Sequence, residues 1–242
     1  MEKTEAKPLA RGWSGQPIWD LALKLVAEMP GGRLLDAPSG GGYLSVQLAE
    51  RGFQVVGVDM IAELWQFPEM PFVCADLDSP LPFAPDSFDV ILHVGGLGYM
   101  ENPSALFRDF YRLLRPGGVL GVTADNIFTL ESRLRFLLNG TFRWYPHCEY
   151  HGEDKAGLHL INRDPIRLTT LLFLLQRAGF QIEKVEFGGK RGFAPLLPLG
   201  WLLRGLTTLH NGLRQGKGSL TPPLVNSRDA LLFRQVGVLA RK

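Results

Sequence analysis

Three aspartates, Asp36, Asp59 and Asp76, each end a short apolar run of the chain. A carboxylate in such a position can accept hydrogen bonds from the hydroxyl or amino groups of a ligand. Residues 40–42 are consecutive glycines. Because glycine has no Cβ, a ligand can lie almost against this backbone, beside the free N–H groups that begin a helix. The pattern predicts a binding site for a small polar ligand.

Strands and helices alternate in the sequence around these residues, as in βαβ units. The first two strands place Asp36 and Asp59 at their ends, where a carboxylate of a second strand can accept two hydrogen bonds from ribose hydroxyls. The expected strands are 34–36, 54–59, 72–75, 88–93, 119–123, 180–187 and 230–239. The expected helices are 15–29, 43–51, a weak one at 61–67, 101–114, 127–139 and 165–178.

The glycine spacing decides between two classes of adenosine ligand. The nicotinamide fingerprint is G-x-G-x-x-G, whereas this chain has three consecutive glycines and Ser45 at the third-glycine position. Asp36 precedes the glycines, where it would repel a pyrophosphate and suit a ligand with a positive end. S-adenosylmethionine carries an ammonium and a sulfonium and has no phosphate, so a nicotinamide dehydrogenase is the weaker alternative.

From 34 to 125 the sequence resembles the class I S-adenosylmethionine-dependent methyltransferases. Their first motif is an acid followed by G-x-G-x-G, and 36–42 matches it with Pro38 in place of the first glycine. The segments LPF at 81–83, DSFDVI at 86–91 and LLRPGGVL at 113–120 also recur in that family. The resemblance implies an α/β fold with a seven-stranded, mostly parallel sheet, helices on both faces and an antiparallel last strand.

The resemblance also assigns roles at the site. S-adenosylmethionine would be the cofactor and S-adenosylhomocysteine the product. Asp36 would meet the amino-acid end, Asp59 the ribose and Asp76 the adenine amino group, while the Leu77 N–H would donate to a ring nitrogen. His93, expected to follow the fourth strand at the cleft mouth, would form part of the cofactor wall. The cofactor-binding residues implied are Asp36, Ala37, Pro38, Gly40, Asp59, Met60, Asp76, Leu77 and His93.

His159 is the candidate catalytic base. It precedes a helix in a pattern, HLIN…LLQRAGF, that resembles methyltransferases found beside glycosyltransferases in cell-envelope polysaccharide synthesis. In those proteins the equivalent histidine faces the active site. The loop at 140–163 is rich in histidines and aromatic residues, but its spacings match no compact metal-ligand set, so we expect a lid and no metal. Trp13 and Trp19 could line the cofactor cleft, although we favour ordinary packing for both.

The segment 188–228 contains six lysines and arginines, no acid and many leucines. Such a hydrophobic and basic insert suits contact with an anionic membrane face, and equally a packed helix or a subunit contact. The expected organisation is a single methyltransferase domain over 1–242, with an N-terminal helix at 15–29, the lid-like loop at 140–163 and this insert.

Composition limits the remaining possibilities. The chain has 242 residues and a net charge of +2, so nothing suggests a nucleic-acid partner. Cys74 falls in a predicted buried strand, so we expect no disulfide with Cys148 and a reducing, cytoplasmic location. The insert at 188–228 leaves open a peripheral contact with the inner membrane face. No stretch of 18 uncharged apolar residues occurs.

The expected function is methyl transfer to a small-molecule or glycan-type acceptor, most readily at oxygen. One alternative is carbon or nitrogen methylation of a lipophilic ring such as a quinone precursor. An alternative of another class is a non-catalytic module that binds an adenosyl ligand at a membrane surface.

Overall fold

The structure, a computed structural model, describes residues 16–142, 165–191 and 227–242, with positions 198, 201–202, 205 and 224–225. Its strands are β1 (Gly32–Asp36), β2 (Phe53–Asp59), β3 (Phe72–Cys74), β4 (Phe88–Val94), β5 (Leu114–Asp125), β6 (Gln181–Arg191) and β7 (Phe233–Arg241). Its helices include α1 (Gln16–Leu25), α2 (Tyr43–Ala49), α3 (Pro103–Leu113), α4 (Leu130–Asn139), α5 (Leu168–Arg177) and α6 (Arg228–Leu232). Short 3-10 turns at Ala62–Leu64 and Leu97–Tyr99 follow β2 and β4.

The seven strands form one sheet in the order β3-β2-β1-β4-β5-β7-β6. Strands β1 to β5 are parallel, and β7 is antiparallel to both of its neighbours. The predicted mostly parallel sheet with an antiparallel last strand is therefore confirmed. The strand order reverses between β1 and β4, and ligands of such sheets bind at the carboxyl ends of the strands at this point.

Two apolar layers cover the sheet, because successive side chains of a strand point to opposite faces. Leu34 packs in a cluster with residues of α1 and α2, and its neighbour Leu35 packs in a second cluster with residues of α3 and α5. Both leucines are fully buried, and each such burial stabilises the fold by about 1.5–3 kcal/mol. The short first strand is thereby fixed between helices on both faces.

Several helices begin at different residues from those predicted. α4 begins at Leu130, because the Thr129 hydroxyl caps it by accepting from the Ser132 N–H, and not at 127. α5 begins at Leu168 after Arg167, so Pro165 is not its first residue. The weak helix expected at 61–67 is reduced to the 3-10 turn Ala62–Leu64.

At the antiparallel end of the sheet, the bounds of three strands differ from those predicted. The glycine turn at 116–118 lies within β5, where Gly117 and Gly118 exchange backbone hydrogen bonds with Lys242. β6 runs on to Arg191 because its last residue pairs with Phe233 of β7, so the first residues of the expected insert belong to the sheet. The start predicted for β7 at 230 is wrong, since 230–232 belong to α6.

The described part of the chain has no helix of the length and apolar character needed to cross a bilayer.

Candidate functional site

A cavity opens at the carboxyl ends of β1 to β4 and collects most of the residues predicted for the site. The predicted residues that line it are Asp36, Pro38, Gly40, Asp59, Met60, Asp76 and Leu77. Ala37 and His93 are not among its lining residues, and His159 lies outside the described residues. Seven residues separated by up to 41 positions therefore meet at one place in the fold.

The glycine turn between β1 and α2 forms the floor of this cavity. The Ala37–Pro38 peptide bond is cis, and the Ser39 N–H donates to the Val58 carbonyl oxygen over 2.8 Å. Gly42 has φ +84°, and a Cβ there would lie 2.8 Å from the ring atoms of both Trp65 and Phe67. Any other residue at this position would face both backbone strain and a clash, so the turn requires glycine.

Asp36 is the most deeply buried of the three acids at the site. Its side chain is 1% exposed, Oδ2 accepts a 2.6 Å hydrogen bond from the Ser45 hydroxyl, and Oδ1 has no partner among the described residues. The pKa of Asp36 is raised to about 7, chiefly by burial and also by the charge of Asp59, while the Ser45 hydrogen bond acts in the opposite direction. Asp36 thus presents a buried oxygen that a ligand donor could satisfy.

Asp59 is held by the backbone at the next strand end. Its Oδ2 accepts from the Gly40 N–H over 2.8 Å, and its Oδ1 accepts from the Ile61 N–H over 3.1 Å. Burial raises the pKa of this carboxyl, while those backbone hydrogen bonds lower it. Each carboxylate oxygen can still accept a second hydrogen bond, which leaves the pair able to receive two ligand hydroxyls.

The end of the cavity beside β3 is apolar with one acid at its edge. Leu77 is buried, Met60 is 47% exposed, and Ile61 also lines this end. Asp76 is exposed, and its Oδ1 accepts from the Asp78 N–H over 3.0 Å. Apolar walls beside a hydrogen-bonding acid suit a flat heteroaromatic ring, and the roles of Asp76 and Leu77 toward adenine stay predictions.

His93 lies elsewhere than expected. It is inside β4, which continues to Val94, and it is fully buried, so it does not stand at the cleft mouth. Its Nδ1 lies 2.7 Å from the Ala37 carbonyl oxygen, to which the ring N–H donates. Burial lowers the pKa of His93 to about 4, although the Ala37 hydrogen bond raises it, so the ring is neutral near pH 7. The residue supports the glycine turn from below.

Aromatic residues that the sequence interpretation missed or undervalued complete the cavity. Trp19, for which packing was favoured, lines it together with Tyr43 and Tyr99. The Trp19 and Tyr43 rings are stacked with centroids 6.3 Å apart, and Phe67 meets Tyr43 edge-on at 5.5 Å. The available signal for Tyr43 was its position directly after the glycines. Tyr99 offered none, because the loop after β4 has no periodic pattern.

The prediction that Cys74 lies in a buried strand is wrong. The residue is exposed, because β3 is an edge strand of the sheet. Among the described residues, no group of three histidines, cysteines or acids is placed to hold a metal ion.

Comparisons with known proteins agree with this geometry. Residues 35–122 match the family described as a methyltransferase domain. A demethylmenaquinone methyltransferase of Renibacterium salmoninarum is 32% identical over 107 residues, which are 42% of this chain and 45% of that protein. A ubiquinone biosynthesis O-methyltransferase of Xylella fastidiosa is 27% identical over 161 residues, 54% of this chain and 65% of that protein. The matches thus span less than two thirds of these relatives.

The fold also matches solved structures. The crystal structure of an S-adenosylmethionine-dependent methyltransferase from Mesorhizobium loti superposes with a TM-score of 0.56 at 19% identity, over 93% of this chain and 97% of that one. At this identity the likeness concerns the fold, and it extends over nearly the whole length of both chains.

Proposed function

We propose that this chain, which belongs to the class I, Rossmann-like S-adenosylmethionine-dependent methyltransferases, transfers a methyl group to a hydroxyl oxygen of a small-molecule acceptor. One observation carries the proposal: a buried carboxylate oxygen of Asp36, which has no partner within the described part of the chain, shares a cavity with Asp59, whose carboxylate can accept two hydroxyls. An ammonium would complete the first group and a ribose the second.

The residues present fit the cofactor from end to end. Asp36 would hold its amino-acid end, Asp59 its ribose, and Asp76 with the Leu77 N–H its adenine. Gly40 and Pro38 would border it closely, Met60 would cover it, and His93 would act on the turn through Ala37. When bound, S-adenosylmethionine supplies an electrophilic methyl group on a positively charged sulfur.

The protein's own task is to hold the acceptor and exclude water. Trp19 and Tyr43 offer stacked aromatic surface to the acceptor, which suits the face of a sugar or a planar ring. We propose a hydroxyl acceptor of either kind, including a glycan. Carbon or nitrogen methylation of a lipophilic ring such as a quinone precursor is a second candidate, favoured by this aromatic wall and by the relative named a demethylmenaquinone methyltransferase. The relative named a ubiquinone biosynthesis O-methyltransferase supports methylation at oxygen. His159 remains the proposed base for the acceptor hydroxyl.

A second part of the proposal concerns the segment 188–228 and a membrane surface. Its six cations are unopposed by any acid in the sequence, so we propose peripheral contact with an anionic membrane on the cytoplasmic side. Trp201 and Leu202, which the structure describes within this segment, are both more than half exposed, as such contact would require.

The test is formation of S-adenosylhomocysteine from S-adenosylmethionine on addition of an acceptor, measured by mass spectrometry. Catechol serves as a hydroxyaryl probe and methyl glucoside as a sugar probe. We expect acceptor-dependent turnover in the wild type and in the surface variant Glu28→Ala, and a strong loss in Asp59→Ala. Tight binding of S-adenosylmethionine without turnover of either probe or of a lipophilic quinol would favour the non-catalytic module.

A further inference from the structure

The strand order divides the cavity into two sides. Asp36 and Asp59 are the last residues of β1 and β2, and Asp76 lies just after β3; these three strands are consecutive neighbours in the sheet. The next neighbour of β1 is β4, whose last residue Val94 and following turn line the opposite side. A cofactor that meets the three acids occupies the first side, so the side beside β4 is left for the acceptor. This step depends on the proposed function.

Tyr99 supplies a polar group on the side beside β4. It ends the 3-10 turn Leu97–Tyr99, where its backbone N–H donates to the Gly96 carbonyl oxygen over 3.0 Å. Its ring lines the cavity and is partly buried. Burial raises the pKa of the Tyr99 phenol, and the negative charge of Asp125 raises it further. The phenol therefore carries its proton throughout the neutral pH range.

Asp125 is oriented toward this turn by the geometry of β5. It is the last residue of the strand, and Thr123 lies two positions earlier, on the same face of the sheet. The Thr123 hydroxyl accepts a 3.2 Å hydrogen bond from the Gly95 N–H, at the start of the loop that carries Tyr99. The side chain of Asp125 thus emerges on the face that this loop crosses. The charge of Asp125 acts on the Tyr99 phenol. A phenol proton directed toward this carboxylate would leave a lone pair of the phenol oxygen available to a ligand in the cavity.

We propose that the Tyr99 phenol oxygen accepts a hydrogen bond from the acceptor's hydroxyl group, and that Asp125 positions Tyr99 for this contact. The contact selects a hydroxylated acceptor and holds its oxygen with lone pairs free for the methyl group. On transfer, the methyl group would replace the hydroxyl proton, which would leave this contact for the proposed base. A methylated oxygen has no proton to donate, so the product loses the contact and binds more weakly. Tyr99 is then an acceptor-binding residue and Asp125 a positioning residue.

The experiment compares two aryl probes that differ by this one methyl group. The full-length protein, saturated with S-adenosylhomocysteine, is titrated with 4-fluorophenol and with 4-fluoroanisole, and binding is followed by fluorine NMR. The wild type should bind the phenol about three- to tenfold more tightly, the range for one neutral hydrogen bond. Tyr99→Phe should remove this preference and leave the affinity for S-adenosylhomocysteine unchanged. Tyr111→Phe is the matched control, because Tyr111 packs on Phe180 away from the cavity.

A second measurement tests the part of Asp125. Asp125→Asn should reduce the preference for 4-fluorophenol over 4-fluoroanisole. It should also lower the pKa of the Tyr99 side chain. That pKa is obtained by subtracting the ultraviolet titration of the matching Tyr99→Phe protein from that of the wild type or of Asp125→Asn. Equal binding of the two probes by the wild type, binding of neither, or a preference that survives in Tyr99→Phe would overturn the inference. Failure of the wild type to bind S-adenosylhomocysteine would instead contradict the proposed function itself.

Discussion

The buried carboxyl of Asp36 makes cofactor affinity dependent on pH. With a pKa of about 7 in the free protein, the group is almost wholly protonated at pH 5 and half ionised at pH 7. An ammonium group pairs with the carboxylate and not with the neutral acid. Binding at low pH must therefore include removal of the proton from Asp36, and S-adenosylhomocysteine should bind more weakly as the pH falls.

The size of the effect follows from the fraction ionised. The carboxylate fraction falls from about one half at pH 7 to roughly 1% at pH 5, so the affinity should fall about 50-fold, or about 2.3 kcal/mol. Isothermal titration calorimetry with S-adenosylhomocysteine across this range is the assay. Asp36→Asn should bind weakly at both pH values and show a nearly flat profile. Ser45→Ala removes a hydrogen bond that lowers the pKa of Asp36, so its profile should shift to higher pH.

The Asp36 carboxyl also makes the stability of the free protein depend on pH. The folded pKa lies above the ordinary value of 3.8, so ionisation is costly in the fold and the stability falls as the pH rises from about 4 to 7. Above pH 7 the full cost is about 4 kcal/mol, which Asp36→Asn should remove. A wild-type affinity that changes less than threefold between pH 5 and 7, or an equal fall in Asp36→Asn, would refute this reasoning.

Three further predictions concern other parts of the chain. Gly42→Ala should destabilise the fold by about 1–3 kcal/mol in urea unfolding, more than Gly117→Ala, where φ is also positive but no atom lies within 4 Å of the new Cβ; equal losses would contradict the clash. His159→Gln should lower turnover about 10²–10⁴-fold with unchanged affinity for S-adenosylhomocysteine, and a wild-type rate would exclude it as the base. Deleting 193–213 should abolish salt-sensitive co-sedimentation with anionic vesicles while cofactor binding survives; no such binding by the intact protein would assign the segment to a lid or subunit contact.

The order and type of the central elements could be predicted because each leaves a local signal. Apolar runs such as that before Asp36 mark buried strands, and a glycine turn between a strand and a helix marks a ligand site. The acids that end these strands were therefore located correctly at one edge of the sheet. The antiparallel direction of β7 came from the family resemblance, since a single strand's own residues do not determine the direction of its neighbours.

The remaining features depend on contacts between distant residues. The raised pKa of Asp36 requires its burial and the approach of Asp59, 23 positions away, neither of which is visible in a local pattern. His93 was expected at the end of its strand and at the cleft mouth, whereas β4 continues to Val94 and the ring is buried beneath the glycine turn. Tyr99 lies in a loop without periodicity, and only the fold brings it beside the end of β5.

The central claim is that this cavity binds the adenosyl ligand through the acids at its strand ends. Its most direct test is a calorimetric titration of the wild type and of Asp59→Ala with S-adenosylhomocysteine, beside a titration with NAD. We expect one site for S-adenosylhomocysteine, an affinity about 10- to 150-fold weaker in Asp59→Ala, the range for hydrogen bonds to a charged group, and no binding of NAD. Unchanged affinity in Asp59→Ala, or binding of NAD in preference to S-adenosylhomocysteine, would contradict the claim.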